Sequence, residues 1–370
     1  MAHGEVLMRQ RTLDVAKGIA IMGIVVSHTM RGLSAASIAN PFEPWYEETD
    51  TALYLVHLGV FFFLSGIFVS RSVQRHGAAL YLRQRLALLS WLFLVWTALQ
   101  GGIQVVASRF INTPTTPADV LIGLVKPLGQ LWFLPSLALF TIAVAAARPW
   151  VSGRRLYLTL ALAAGVSLAR WGVPGNWFFA RDLGMAIFFT LGVVIGFERV
   201  IRFLKSPIAF AVGVVSGLCY AAICIATDPT PPPERFAFAE VTPGTIAAGV
   251  VASLAGLLAI LVVSRFLDRV PGLGTLVAAV GRRSLPIFLA HILFTAGTRV
   301  ALSRMGLTSL SGQLGMGALG GILMPIALSS LAGRTGVDWL FGSPTWWDRA
   351  WQHARRQTDA DTTMEEENRG

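Results

Sequence analysis

The chain has 370 residues, 54% of them hydrophobic and only 14% charged. Soluble domains carry about a quarter charged residues, so this balance excludes an ordinary soluble domain and points to a polytopic membrane protein. The formal net charge of +10 does not argue for nucleic acid, because the basic residues stand in short clusters between apolar runs, as cytoplasmic loops do.

Ten apolar segments are long enough to cross a bilayer: 13–31, 51–70, 86–107, 131–148, 155–172, 183–198, 207–226, 244–264, 284–303 and 313–332. With the N-terminus placed in the cytoplasm, 22 of the 30 lysines and arginines fall on that side and 8 on the other. The asymmetry predicts an all-α membrane helix bundle with both termini cytoplasmic. It further predicts a membrane domain over 1–340 and a cytoplasmic tail over 341–370, whose acidic end "MEEENRG" is expected to be disordered.

The first span, "RTLDVAKGIAIMGIVVSHTM" (11–30), carries Asp14, Lys17 and His28. Arg9, Arg11 and the following apolar core resemble a signal peptide. Cleavage after that core would discard His28, and Asp14 and Lys17 fit a signal core poorly, so a retained helix is favoured. On an ideal helix Lys17 and His28 lie within about 20° in azimuth and about 16 Å apart along the axis. One face thus carries a charged mouth and, deeper, an imidazole. Asp14 is too far from His28 to orient it. Two readings stand: a helix end that snorkels with a histidine bonded to a neighbouring helix, or a functional site.

The second span contains His57 in "HLGVFFFLSGIF", with Ser65-Gly66 as a small-residue helix contact and Phe61–Phe63 as core or lipid-facing packing. A basic loop with Arg83 and Arg85 follows. The segment 109–130 is expected to lie partly along the membrane surface, and "DPTPPPERFAFAE" (228–240) to be extended. Cys219 and Cys224 share one apolar run and read as packing residues. In the ninth span Ser284 and His291, seven residues apart, share a helix face. For His57 and His291 a structural and a functional role are both open. Trp346, Trp347 and Trp351 place the start of the tail at the interface.

These segments resemble the acyltransferase-3 family of integral membrane O-acyltransferases. The first span matches the family pattern of an Asp, a basic residue three on and a His eleven further, here Asp14, Lys17 and His28. "YLVHLGVFFFLSGIF" (54–68), "YLRQRLALL" (81–89), "GQLWFLPSLALF" (129–140) and "GRRSLPIFLAHILF" (281–294) are similar to later family segments and follow in the same order. The "KGI" variant is similar to sugar O-acetylases, although Leu58-Gly59 stands where that subgroup often has Met-Pro. The resemblance implies an acyl-CoA donor, acetyl-CoA foremost, reached from the cytoplasm. It implies no tightly bound cofactor and no metal. The acceptor it implies is a hydroxyl on a glycan, a glycolipid or another lipophilic molecule in the bacterial plasma membrane, a macrolide-like metabolite remaining open.

On that footing Lys17, with Arg83 and Arg85, attracts the donor's phosphates, and Asp14 belongs to the same charged mouth. His28 is the general base. Substrate contacts are expected from His57, Ser65, Trp132, Ser284 and His291, with Trp132 and Ser284 as candidate oxyanion stabilisers. An acyl-histidine relay is an open second mechanism. The competing class is a proton-coupled transporter or flippase, against which stands the lack of paired broken helices in matching halves of the sequence.

Overall fold

The computed structural model describes residues 2–108, 115–173, 183–233 and 241–349, with side chains from residue 11 onward. Arg109, Arg181, Arg235 and the tail beyond 349, Trp351 included, lie outside the described residues.

The helices run α1 (Ala2–Ala35), α2 (Pro44–Gly66), α3 (Val69–His76), α4 (Ala78–Val106), α5 (Pro117–Ile122), α6 (Phe133–Ala147), α7 (Gly153–Ala169), α8 (Ala186–Lys205), α9 (Ile208–Ala226), α10 (Pro243–Leu267), α11 (Leu273–Arg282), α12 (Ser284–Arg304) and α13 (Leu310–Thr335). No strand occurs among the described residues, and the chain is an all-α polytopic bundle. Nine of these segments are long and apolar enough to cross a bilayer, α2 and α3 counting as one.

The tenth expected span is α7, which has 17 residues, the lower limit for a crossing. Its contacts show that it runs the full height of the bundle. The turn before it lies with Ser70, Gln74 and Arg199 at the end where α1 begins. Just past its other end, the Trp171 indole N–H donates to Thr230 O at 2.7 Å, in the segment joining α9 to α10. Hydrophobic side chains such as Tyr157, Leu158 and Leu162 on α7 face outward, as a lipid-exposed helix requires.

Local chemistry sets the helix starts. Pro44 opens α2 and Pro243 opens α10, where the missing N–H costs nothing. Ser152 caps α7 by accepting from Arg155 N, and Thr242 caps α10 by accepting from Thr245 N. Thr116 and Asp119 close a capping box on α5, outside the spans. The Thr116 hydroxyl and amide hold the Asp119 carboxyl below the usual carboxylate range.

Three features go beyond the sequence reading. The first is α11, which falls in a stretch expected to be loop. Ten residues are too few to span, and instead it lies across the early turns of α1. A methyl at Gly18 or Gly281 would overlap backbone of the opposing helix, so these glycines permit the close approach. The second is the proline-rich segment. Its described part is packed rather than free: Thr230 is buried, and Gly172 N donates to Pro232 O at 3.1 Å. Prolines carry no N–H to satisfy, which makes such burial affordable. The third is the tail. Trp96 donates to Leu340 O at 2.6 Å and Trp347 to Ala87 O at 2.8 Å, so residues on both sides of the 340/341 boundary pack on α4 as one piece.

Two helices are interrupted. The break between α2 and α3 meets a kink at Gly196 in α8, where φ is 70°, and Phe197 N donates to Ile67 O at 3.1 Å across the gap. Each interruption supplies the hydrogen-bond partner the other lacks. The break follows the closest α2–α8 crossing, where Gly66 and Gly192 let the backbones touch. Phe62 and Phe63 are buried in the core, and Phe61 is half-buried against a cavity.

Candidate active site

Helices α1, α2, α4, α6 and α12 enclose two cavities stacked along α1. The near cavity, about 430 Å³, lies toward the end where α1 begins and is lined by Lys17, Ser65, Tyr81, Arg85 and Ser284 among mainly apolar side chains. The far cavity, about 210 Å³, is lined by His28, Arg31, Tyr54, Gln130 and Trp132. The face of α1 that carries Lys17, Ile24, His28 and Arg31 runs past both.

In the near cavity Lys17 Nζ is 3.6 Å from Asp14 Oδ1, so the first charged pair of the sequence is an i,i+3 ion pair at the cavity mouth. Arg85 points into the cavity and Arg83 does not. Two residues apart on a helix means about 200° of rotation, so a single helix cannot offer both to one cavity. Ser65 on α2, Ser72 on α3 and Ser284 at the start of α12 add to the polar lining.

The far cavity is built on a buried charge pair that the sequence reading missed. Arg31 Nη2 lies 2.7 Å from Asp50 Oδ2 and Nε lies 3.0 Å from Oδ1, a bidentate fork with Asp50 almost fully buried. Ser27 donates to the same carboxylate at 2.9 Å. The guanidinium carbon sits 3.6 Å over the Tyr54 ring. Asp50, Tyr54 and His57 stand at i, i+4 and i+7 on α2, which was the legible signal: one helix face carrying an acid, a phenol and an imidazole.

All three intramembrane histidines meet here, with different surroundings. His28 is half-buried and lines the far cavity. His291 is fully buried beside it, ring centroids 5.1 Å apart. Its Nδ1 lies 2.9 Å from Ile287 O and 2.8 Å from Phe288 O. Those carbonyls accept only, so Nδ1 carries a proton. The His291 Nε2 is buried without a hydrogen-bond partner among the described residues. His57 is buried behind Tyr54, ring centroids 4.7 Å apart, and lines neither cavity.

Trp132 ends a 3-10 turn, Gly129–Trp132, that enters the bundle beside α12. Gln130 fastens this turn by donating to Leu289 O at 3.1 Å and Gln100 Oε1 at 3.2 Å. Gly129 adopts φ 48°, a left-handed conformation that favours glycine. The turn brings Trp132 into the lining of the far cavity, which it shares with His28 and Arg31.

A membrane helix bundle that sets an imidazole and a fixed arginine beside two cavities in line has the ionisable groups within its spans that mark a functional site. The chain belongs to the acyltransferase-3 family: the family model described as an acyltransferase domain matches residues 10–333. The protein is thus a multi-pass membrane acyltransferase. Comparison with curated proteins and with solved structures gave no match.

Proposed function

We propose that the chain transfers a short acyl group, an acetyl group foremost, from cytoplasmic acyl-CoA to a hydroxyl of an envelope glycan, glycolipid or other lipophilic acceptor in the bacterial plasma membrane. The observation that carries this reading is the alignment of the two cavities along one face of α1, with Lys17 and Arg85 at one level and His28 and Arg31 at the other. CoA has its charge at one end and its thioester at the tip of a long thin arm. Cations at the near cavity suit the phosphates, and the arm reaches toward His28.

In this mechanism His28 accepts the proton of the acceptor hydroxyl as its oxygen attacks the thioester carbon. The C–S bond breaks, and the proton passes to the departing thiolate to give CoA. Arg31, held by Asp50 and Tyr54, stabilises the charge that develops on the carbonyl oxygen, a role the sequence reading gave to Trp132 or Ser284. Trp132 offers a flat apolar face to the acceptor. His291 packs its ring against that of His28, with centroids 5.1 Å apart. Orientation in the membrane follows the basic residues, with the α1 start and the near cavity on the cytoplasmic side.

The test is CoA release by the purified protein given acetyl-CoA and a membrane extract, coupled to mass spectrometry of lipids and glycans from a strain lacking the gene. The reading expects acceptor-dependent CoA release and the loss of one acyl increment from an envelope component. Absence of both overturns it in favour of transport without acyl chemistry.

A further inference from the structure

Three side chains line both cavities: Ile24 from α1, Phe133 from the first turn of α6, and Phe288 from α12. All three are at least nine-tenths buried, with exposures of 2%, 8% and 7%. The Phe133 and Phe288 rings lie 5.1 Å apart and tilted, in direct contact. Ile24 sits seven residues after Lys17 and four before His28, so it marks the level at which a molecule entering past Lys17 must pass to reach the imidazole.

This septum is braced. Phe133 packs on Phe62 at 4.6 Å between ring centroids. The backbone carbonyl of Phe288 receives His291 Nδ1, and the neighbouring Leu289 carbonyl receives Gln130. The backbone at Phe288 is therefore held by the same bonds that hold the far cavity, which leaves side-chain rotation as its route to opening the septum. An apolar partition also keeps water in one cavity from the contents of the other.

We infer that Ile24, Phe133 and Phe288 form a selectivity septum that sets the acyl length of the donor, admitting a two- or three-carbon acyl thioester to His28 and excluding longer chains. The inference rests on the acyl-CoA reading above and adds the residues that choose the donor. The thioester carbon crosses between the rings, is attacked by the acceptor oxygen on the far side, and leaves the CoA sulfur behind as thiol. The same septum limits the unproductive reaction in which water attacks the thioester, releasing carboxylic acid and CoA.

The experiment measures CoA release from acetyl-, butyryl- and hexanoyl-CoA, with and without acceptor, for full-length wild type, Ile24→Ala, Phe288→Leu and Ile24→Phe. Binding of a non-hydrolysable acetyl-CoA analogue verifies that each variant is folded. Ile24→Ala and Phe288→Leu are expected to shift the acetyl-over-hexanoyl preference by roughly tenfold or more, the scale at which a pocket discriminates methylenes, and to raise acceptor-independent release. Ile24→Phe is expected to bind the analogue and lose turnover. An unchanged chain-length profile in variants that bind the analogue overturns the septum. Wild type that turns over no acyl-CoA defeats the acyltransfer reading instead, so the two failures are distinct. If Phe288→Leu does not fold, Ile24→Ala alone decides.

Discussion

The two cavities are made of different material. The near cavity is mostly apolar, and its polar groups are spread over α1, α2, α3, α4 and α12 with a loose 3.6 Å ion pair between Lys17 and Asp14. The far cavity is half the size, and its groups are locked: Arg31 is forked onto Asp50, stacked on Tyr54, and flanked by a turn fastened through Gln130. A site that must accept and release a large flexible donor gains from adaptable contacts. A site that must align a proton acceptor and an oxyanion gains from fixed ones, since preorganised dipoles need no reorganisation as the reaction proceeds. On the proposed reading, this difference supports binding in the first cavity and chemistry in the second.

The largest expected effect is in the locked cavity. His28→Ala should lower turnover per folded enzyme by roughly 10² to 10⁴, the usual contribution of a general base, while leaving donor affinity near wild type. Turnover close to wild type on that scale would move suspicion to His291 and His57.

Next in size is the charge pair. Asp50→Ala removes the buried carboxylate on which Arg31 is forked, and should cost about 3 kcal/mol of stability, read as a lower unfolding midpoint in detergent. If the midpoint is unmoved, the far cavity is not built on that pair. Arg31→Gln retains hydrogen bonding and is expected to depress kcat more than it raises KM.

In the adaptable cavity the effects should be smaller and of another kind. Lys17→Ala and Arg85→Ala each remove a cation facing the donor and should weaken binding of a non-hydrolysable CoA analogue by roughly tenfold, with kcat reduced less. Arg83→Ala, on the opposite side of α4, is the smallest effect expected, within about twofold of wild type by the same titration. Equal losses for Arg83 and Arg85 would dissolve the distinction between the faces of α4.

Much of this arrangement was legible in the sequence. Helix positions followed from apolar length alone, and the face of α1 carrying Lys17 and His28 followed from helical periodicity. What escaped was long-range. Asp50 stands one residue before the expected second span, 51–70, and only the fold brings it to Arg31 nineteen residues earlier in the chain. Helix α11, at ten residues, is too short for apolar length to mark it. The septum has no local signature at all, since Ile24, Phe133 and Phe288 are ordinary apolar residues until three helices bring them together. Arg83 and Arg85 were grouped by proximity in sequence, where helical rotation separates them.

The most direct measurement is a structure of the full chain in a nanodisc with a non-hydrolysable acetyl-CoA analogue. The account predicts the phosphates against Lys17 and Arg85, the pantetheine arm along the near cavity, and the carbonyl equivalent past Ile24 in contact with His28 and Arg31. A carbonyl out of contact with His28, or an arm lying in the apolar groove between α6, α7 and α8, would contradict it.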